Sequence, residues 1–207
     1  MATRWPQKQY TIFSTECKCF LHPWPFDIPG WTAYNGWRGR RDMERERTCC
    51  FTGHRENKLP WRGNETDARC VQLKKEISRA LERAFLSGMR HFICGMATGC
   101  DLYFAEAVLA LREKLPGITL EAAIPWEGQA QNWSPAQQRR YDALRERCDY
   151  ETVISESYTP DCLKRRNEYM VDSSVLVIAV YSGASGGTRN TMLYAMRKGV
   201  ELYEIEI

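Results

Sequence analysis

The run Val175 to Tyr181 is apolar throughout, lacks period-two alternation and is rich in β-branched residues, which predicts a strand covered on both faces, as in a parallel sheet. A glycine-rich loop follows, Ser182-Gly183-Ala184-Ser185-Gly186-Gly187-Thr188-Arg189-Asn190-Thr191. From Thr191 to Gly199 the apolar positions Met192, Ala195 and Met196 fall at helical spacing, with basic residues in the last turn and Gly199 as a stop. The same reading applied upstream predicts strands at Thr48 to Thr52, His91 to Cys94, Thr119 to Ile124 and Tyr150 to Ile154, and a terminal strand from Val200 to Ile207. Between them, Asp67 to Ser87 reads as a long helix with Val71, Ile77, Leu81, Ala84 and Phe85 on one face. Leu102 to Lys114 is apolar on nearly all sides and reads as a buried helix. Pro135 to Arg147 and Cys162 to Asp172 complete the set. Six strands alternating with five helices predict an α/β protein: a three-layer Rossmann-like fold with a mostly parallel sheet flanked by helices and right-handed crossovers.

Residues 1–46 break the pattern. They hold Trp5, Trp24, Trp31 and Trp37, show no sustained period, and run into the charged stretch Arg38 to Arg47. Met43 stands where a compact domain would start, so 1–46 is expected to be an irregular or poorly ordered extension and 47–207 the Rossmann-like domain.

Composition adds exclusions. A net charge of +3 is too small to argue for nucleic acid, so any binding argument has to be local. No apolar run approaches the roughly 18 to 20 residues of a membrane helix, and no signal peptide is evident, so a cytoplasmic protein without a membrane partner is expected. The nine cysteines sit mostly in or beside strands and helices, which suits buried, reduced thiols. Cys17-Lys18-Cys19 with His22 lacks a second pair at finger spacing, so no metal is expected.

Candidate chemistry gathers at strand ends. Gly53-His54-Arg55, Gly95 to Asp101, Pro125 to Gly128 and Gly183 to Thr188 each follow a predicted strand, where open α/β sheets bind ligands. A glycine-rich turn entering a helix suits a phosphate or carboxylate. The expected ligand residues are Gly53, His54, Arg55, Gly95, Met96, Ala97, Gly99, Asp101, Pro125, Trp126, Arg166, Asn167, Gly183, Gly186, Gly187, Thr188 and Thr191. Asp101 would cap the following helix, Arg55 and Arg166 would meet phosphate, and Trp126 or Trp133 could stack on a base or pack under its loop.

Phe51-Thr52-Gly53-His54-Arg55, Gly95-Met96-Ala97-x-Gly99-x-Asp101, Ala123-Ile124-Pro125-Trp126-Glu127-Gly128-Gln129, Lys164-Arg165-Arg166-Asn167-x-Tyr169-Met170 and Gly186-Gly187-Thr188-x-Asn190-Thr191 together resemble the YpsA-type family of the SLOG superfamily, over roughly Thr48 to Ile207. The resemblance implies a Rossmann-like domain that binds or senses a nucleotide or nucleotide-derived small molecule, such as an ADP-ribose-like compound, with no cofactor required; a homodimer is compatible with it. Two similar groups mark the alternatives. In the cytokinin-activating phosphoribohydrolases a Gly-Gly-x-Gly-Thr-x-x-Glu loop works with an Arg; Arg166 and Thr188 match, but the Glu position falls on Thr191, which leaves Arg166, Glu106 and His54 as candidates for N-glycosidic hydrolysis. In the single-stranded-DNA-binding protein DprA the similar segments are Gly95 to Asp101 and Arg166-Asn167, and here Lys164, Arg165 and Arg166 with Arg139, Arg140, Arg145 and Arg147 could form a basic patch, so nucleic acid is the less favoured partner.

Overall fold

The structure is a computed structural model that describes residues 10–12, as backbone, and residues 45–207. Its elements in chain order are β1 (Tyr10–Ile12), β2 (Thr48–Thr52), a 3-10 turn (Glu56–Lys58), α1 (Ala68–Leu86), β3 (His91–Cys94), α2 (Cys100–Lys114), β4 (Thr119–Ile124), α3 (Pro135–Glu146), β5 (Tyr150–Val153), α4 (Cys162–Asp172), β6 (Leu176–Tyr181), α5 (Gly187–Arg197) and β7 (Glu201–Glu206). All strand pairs are parallel and the sheet order is β1-β5-β4-β3-β2-β6-β7. The six expected strands are present, and Tyr10–Ile12 adds a seventh at the edge of the sheet, beside β5. The Cys17-Lys18-Cys19 cluster with His22 and the four N-terminal tryptophans lie outside the described residues.

The pleat sends alternate residues to two cores. Cys49 and Phe51 of β2, Phe92 and Cys94 of β3, and Ile178 and Val180 of β6 face the larger core beneath α1 and α2, where Phe51 stacks on Phe104 at 4.4 Å. Cys50, Ile93 and Val177 face the smaller core with Met170 and Val171 of α4 and Ala195 of α5. Covering on both faces is why these strands read as continuous apolar runs. Helix α1 buries Leu73, Ile77, Ala80, Leu81 and Ala84, whereas Val71, expected on that face, is exposed. It begins at Asp67, whose carboxylate accepts the Arg69 N–H at 2.8 Å. Helix α2 buries nine of its fifteen residues, as its all-round apolar pattern predicts.

The chain leaves β2 toward β3, β4 and β5, then returns through α4 to the other side of β2 as β6. The strand order therefore reverses at β2 and β6, and their carboxyl-end loops part there to leave a crevice.

Candidate functional site

A cavity of about 360 Å³ occupies this switch point. Residues 51–55 and the 3-10 turn residues Asn57 and Lys58 form one wall, Ala97 and Asp101 the β3 side, Leu163, Arg166, Asn167 and Met170 of α4 the floor, and Gly186, Gly187 and Thr188 the mouth of α5. The expected ligand residues did not include Phe51, Thr52, Asn57, Lys58, Leu163 or Met170: the first two read as strand positions, the next two lie on a short turn without a periodic signal, and the last two read as ordinary apolar helix positions.

His54 is only 4% exposed. Its Nε2 accepts the Ser182 backbone N–H at 3.1 Å, so Nε2 carries no proton and the neutral ring holds its hydrogen on Nδ1. The Ser182 hydroxyl is also 2.9 Å from Nε2. This bond ties the loop after β2 to the loop after β6. Burial lowers the pKa of the ring, and the Lys58 ammonium adds to the effect. Because the folded pKa lies below the unfolded value, this contribution to stability is complete above about pH 6.5 and is lost as pH falls toward the folded pKa, where the unfolded chain takes a proton that the folded chain refuses. Urea midpoints at about pH 7.5 and about pH 5.5 test this: wild type is expected to lose more stability on acidification than His54→Gln, and equal losses would remove His54 as the cause.

Arg166 lies across the base of the cavity at 6% exposure. It donates from Nε to Asn167 Oδ1 at 2.8 Å and from Nη1 to the Gly95 carbonyl. Asp101 Oδ2 stands 4.0 Å from the same Nη1. Burial raises the Asp101 pKa, while Arg166, the Ala97 N–H and Arg55 pull it down. Burial also lowers the pKa of Arg166, with Asp101 opposing, so desolvation outweighs attraction for both members of the pair. Gly95 is required sterically, because a Cβ there would overlap the Arg166 guanidinium. Asp101 does not cap α2, whose N-cap is Gly99 with φ +90°. Instead its carboxylate accepts the Ala97 N–H at 3.1 Å, closing the β3–α2 loop upon itself. A side chain at Gly99 would meet the backbone of Glu56 at 2.5 Å.

Two further groups hold this loop. Met96 is fully buried with φ +56°, a conformation unfavourable for a side-chain-bearing residue. Gln129 Nε2 donates to its carbonyl at 3.1 Å and to that of Gly95 at 3.3 Å. The motif running from Ala123 to Gln129 thus reaches the site through Gln129, which sequence reasoning left without a role. Pro125 and Trp126 do not line the cavity; Trp126 packs edge-on against Tyr158 at 5.2 Å and Trp133 against Tyr141 at 5.4 Å.

At the far wall, α5 begins at Gly187, four residues earlier than its apolar period suggests, with Gly186 as N-cap at φ +144°. Its first helical bond runs from the Asn190 N–H to the Gly186 carbonyl, which leaves the N–H groups of Gly187, Thr188 and Arg189 without helical partners. Gly183, with φ +79°, shapes the turn from β6 but does not line the cavity. Thr191 faces inward, donating to the Gly187 carbonyl and accepting from Asn167 Nδ2, both at 2.9 Å. Glu106 does not line the cavity and is held by Arg140 Nε at 2.7 Å and Nη2 at 2.8 Å. Of the basic cluster, Arg140 pairs with Glu65 and Glu106, Arg145 with Glu127 and Glu151, and Arg147 with Glu113. Among the described residues no group of three or more His, Cys, Asp or Glu could hold a metal ion, and no helix is long and apolar enough to cross a membrane.

Three side chains that line the cavity are more than nine-tenths buried yet keep a donor without a partner among the described residues: His54 at Nδ1, Arg166 at Nη2 and Thr188 at its hydroxyl. None of these atoms is sealed from the cleft, since among the described residues the buried side-chain polar atoms without partners are Trp61 Nε1 and Tyr141 OH. Arg55 and Lys58 add two exposed cations to its rim. This is a donor-rich, cationic pocket with a single carboxylate, Asp101.

Among solved structures the chain is similar to DNA processing protein A (DprA) from Streptococcus pneumoniae, with TM-score 0.53, 16% identity, and coverage of 79% of this chain and 51% of that one. It is also similar to DprA from Helicobacter pylori, described for its single-stranded DNA binding mode, with TM-score 0.52, 13% identity, and coverage of 80% and 67%. At these identities the likeness establishes the Rossmann-like fold, and the chain spans about half the length of the S. pneumoniae protein. In sequence it is 29% identical over 140 residues to the uncharacterized SPbeta prophage-derived protein YoqJ of Bacillus subtilis (strain 168), covering 61% of this chain and 82% of that protein. It is 24% identical over 148 residues to a UPF0398 protein of Bacillus velezensis, covering 68% and 81%. The model of the YpsA family, described as the YspA SLOG family, matches residues 49–207, which takes in every element from the switch-point strands to the glycine-rich mouth of α5: the chain belongs to this family.

Proposed function

We propose that the switch-point cleft binds a nucleotide or nucleotide-derived ligand through its phosphate, and that the protein acts as a binding or sensing module. The observation that carries this is the set of three unused donors on buried side chains, His54 Nδ1, Arg166 Nη2 and the Thr188 hydroxyl, converging with the mouth of α5 on one cavity. These donors open onto the cleft, so a ligand that supplies acceptor oxygens takes the place of water there, and hydrogen bonds to a charged group are worth roughly 1.5–3 kcal/mol each. The volume falls in the range of small-molecule sites.

Hydrolysis of an N-glycosidic bond has weaker support. Thr191 stands where the phosphoribohydrolase pattern carries Glu, and its hydroxyl is used within α5. Asp101, the remaining carboxylate, is engaged by the Ala97 N–H and faces Arg166. Single-stranded DNA binding is suggested by the description of the H. pylori neighbour, but three of the basic residues such a track would use are already paired with carboxylates.

The test is a thermal-shift panel with AMP, ADP, ADP-ribose, NAD and short single-stranded DNA. A ligand at about 100 times its Kd stabilises by about 2.7 kcal/mol, which for a chain of this size is roughly 5–11 °C. A specific shift with one phosphate-bearing nucleotide is expected. A shift with DNA alone, falling steeply with salt, would transfer the assignment to nucleic acid, and release of ribose 5-phosphate lost in Arg166→Ala would transfer it to hydrolysis.

A further inference from the structure

Directly beside the cleft lies a second cavity of about 400 Å³, in the groove between the outer faces of α4 and α5. The two cavities share three lining residues, Leu163, Asn167 and Gly187. The shared rim is the mouth of α5, where the unpaired backbone N–H groups stand and where a Cβ on Gly187 would meet nothing within 4 Å. The Asn167 to Thr191 hydrogen bond of 2.9 Å ties α4 to α5 at this rim. An anion held at Gly187 therefore has one organic-sized space on each side of it.

We propose that the cleft is one half of a bipartite site whose ligand is a dinucleotide-type small molecule, two nucleoside-like groups joined through phosphate or pyrophosphate, with the bridge at Gly187 and one group in each cavity. The proposal rests on the cleft reading above and extends it by naming the ligand class and assigning the α4–α5 groove as its second subsite.

The chemistry of the groove fits a second nucleoside. Its α5 wall presents Gly187, Asn190, Thr191 and Tyr194, positions that share one helical face. The Tyr194 ring is held in place by its hydroxyl, which donates to the Asp172 carboxylate at 3.0 and 3.2 Å, and by the Lys198 ammonium and Arg197 guanidinium, 5.2 and 5.7 Å from its centroid, so the groove wall offers a fixed ring edge and a cation to a nucleoside. The Asn190 amide makes no side-chain hydrogen bond among the described residues and offers both a donor and an acceptor for a base or ribose edge. Leu163 and Pro160 supply the apolar side. A mononucleotide would fill one cavity and leave the other to water. A longer strand needs a track of free cations beyond the site; Arg165, Arg189 and Arg197 carry no ion pair among the described residues, but Lys164 leans toward Glu168 at 3.7 Å, and Arg140, Arg145 and Arg147 are paired elsewhere.

The experiment is titration calorimetry of the full chain with AMP, ADP-ribose, diadenosine pyrophosphate and short oligodeoxythymidylate, repeated on Asn190→Trp, Asn190→Leu and Gly187→Glu. Asn190 is exposed on α5, so filling it obstructs the groove without touching the first cavity. Diadenosine pyrophosphate is expected to bind at least about tenfold more tightly than AMP, with ADP-ribose between them. Asn190→Trp is expected to bring the dinucleotide down to the AMP value and leave AMP unchanged, Asn190→Leu to lose part of the advantage, and Gly187→Glu to lose both ligands. Equal affinity of AMP and the dinucleotide in wild type, or a dinucleotide advantage that survives Asn190→Trp, overturns the bipartite site while the cleft reading stands. An oligonucleotide that binds more tightly than the dinucleotide overturns the small-molecule class. Absence of binding by all four overturns the cleft reading and this one with it.

Discussion

Gly187→Glu is expected to weaken binding of any phosphate-bearing ligand at least about a hundredfold while leaving the thermal midpoint within a degree or two of wild type. The two effects separate because of where Gly187 sits. It is the first residue of α5, its φ lies outside the left-handed region, and a Cβ there meets nothing within 4 Å, so the fold has room for the side chain. A carboxylate in the first turn of a helix is mildly stabilising, by some tenths of a kcal/mol. The same carboxylate places a negative charge where the proposal puts the phosphate and competes for the free N–H groups of Gly187, Thr188 and Arg189. Hydrogen bonds to a charged group are worth roughly 1.5–3 kcal/mol each, and losing two exceeds the approximately 2.7 kcal/mol that a hundredfold represents. Gly187→Ala fills the same space without charge and is expected to bind nearly as wild type. Normal ligand affinity in Gly187→Glu would sink the cleft reading.

Gly95→Ala is expected to have the opposite signature, a large loss of stability. The added Cβ would overlap Arg166 at Nη1 and Cζ and stand 2.9 Å from Asp101 Oδ2. The way aside for Arg166 is into the cavity it lines, and taking it breaks the bonds to Asn167 and the Gly95 carbonyl. Expelling the guanidinium leaves Asp101 buried without its counter-charge and frees a carbonyl that only Gln129 still reaches. Breaking a buried ion pair from one side costs roughly 3–5 kcal/mol, which for a chain of this size corresponds to roughly 6–20 °C in Tm. Differential scanning calorimetry measures it directly. A change below about 2 °C would mean that the guanidinium is not confined there, and the reading of Gly95 as a space-maker would fall.

The elements of the domain from Thr48 onward were legible because their signals are local. Apolar runs such as Leu176 to Tyr181 mark strands covered on both faces, and the pattern of α2 marks a helix packed all round. The glycine loops were legible for the same reason, since Gly99 and Gly186 occupy conformations that a side chain disfavours. Strand β1 was not legible: an edge strand of three residues is defined by its partner β5 and carries too short a pattern to announce itself. Nor does periodicity decide which special loops meet. The sequence marked four strand ends as candidates, yet only the strand order, reversing at β2 and β6, brings the loops after β2, β3 and β6 together while leaving Pro125 and Trp126 outside. The roles of polar side chains depended most on tertiary structure. Glu106 and Arg140, read separately as a candidate acid and a candidate nucleic-acid contact, neutralise each other across α2 and α3. Asp101, read as a cap, holds a loop closed, and Gln129, read as the tail of a motif, carries the backbone of Met96. The sequence by itself determined the order of strands and helices from Thr48 onward, because that order follows from short-range pattern. Which of the candidate residues share one cleft was decided by long-range packing, because their partners lie up to 128 positions away in the chain.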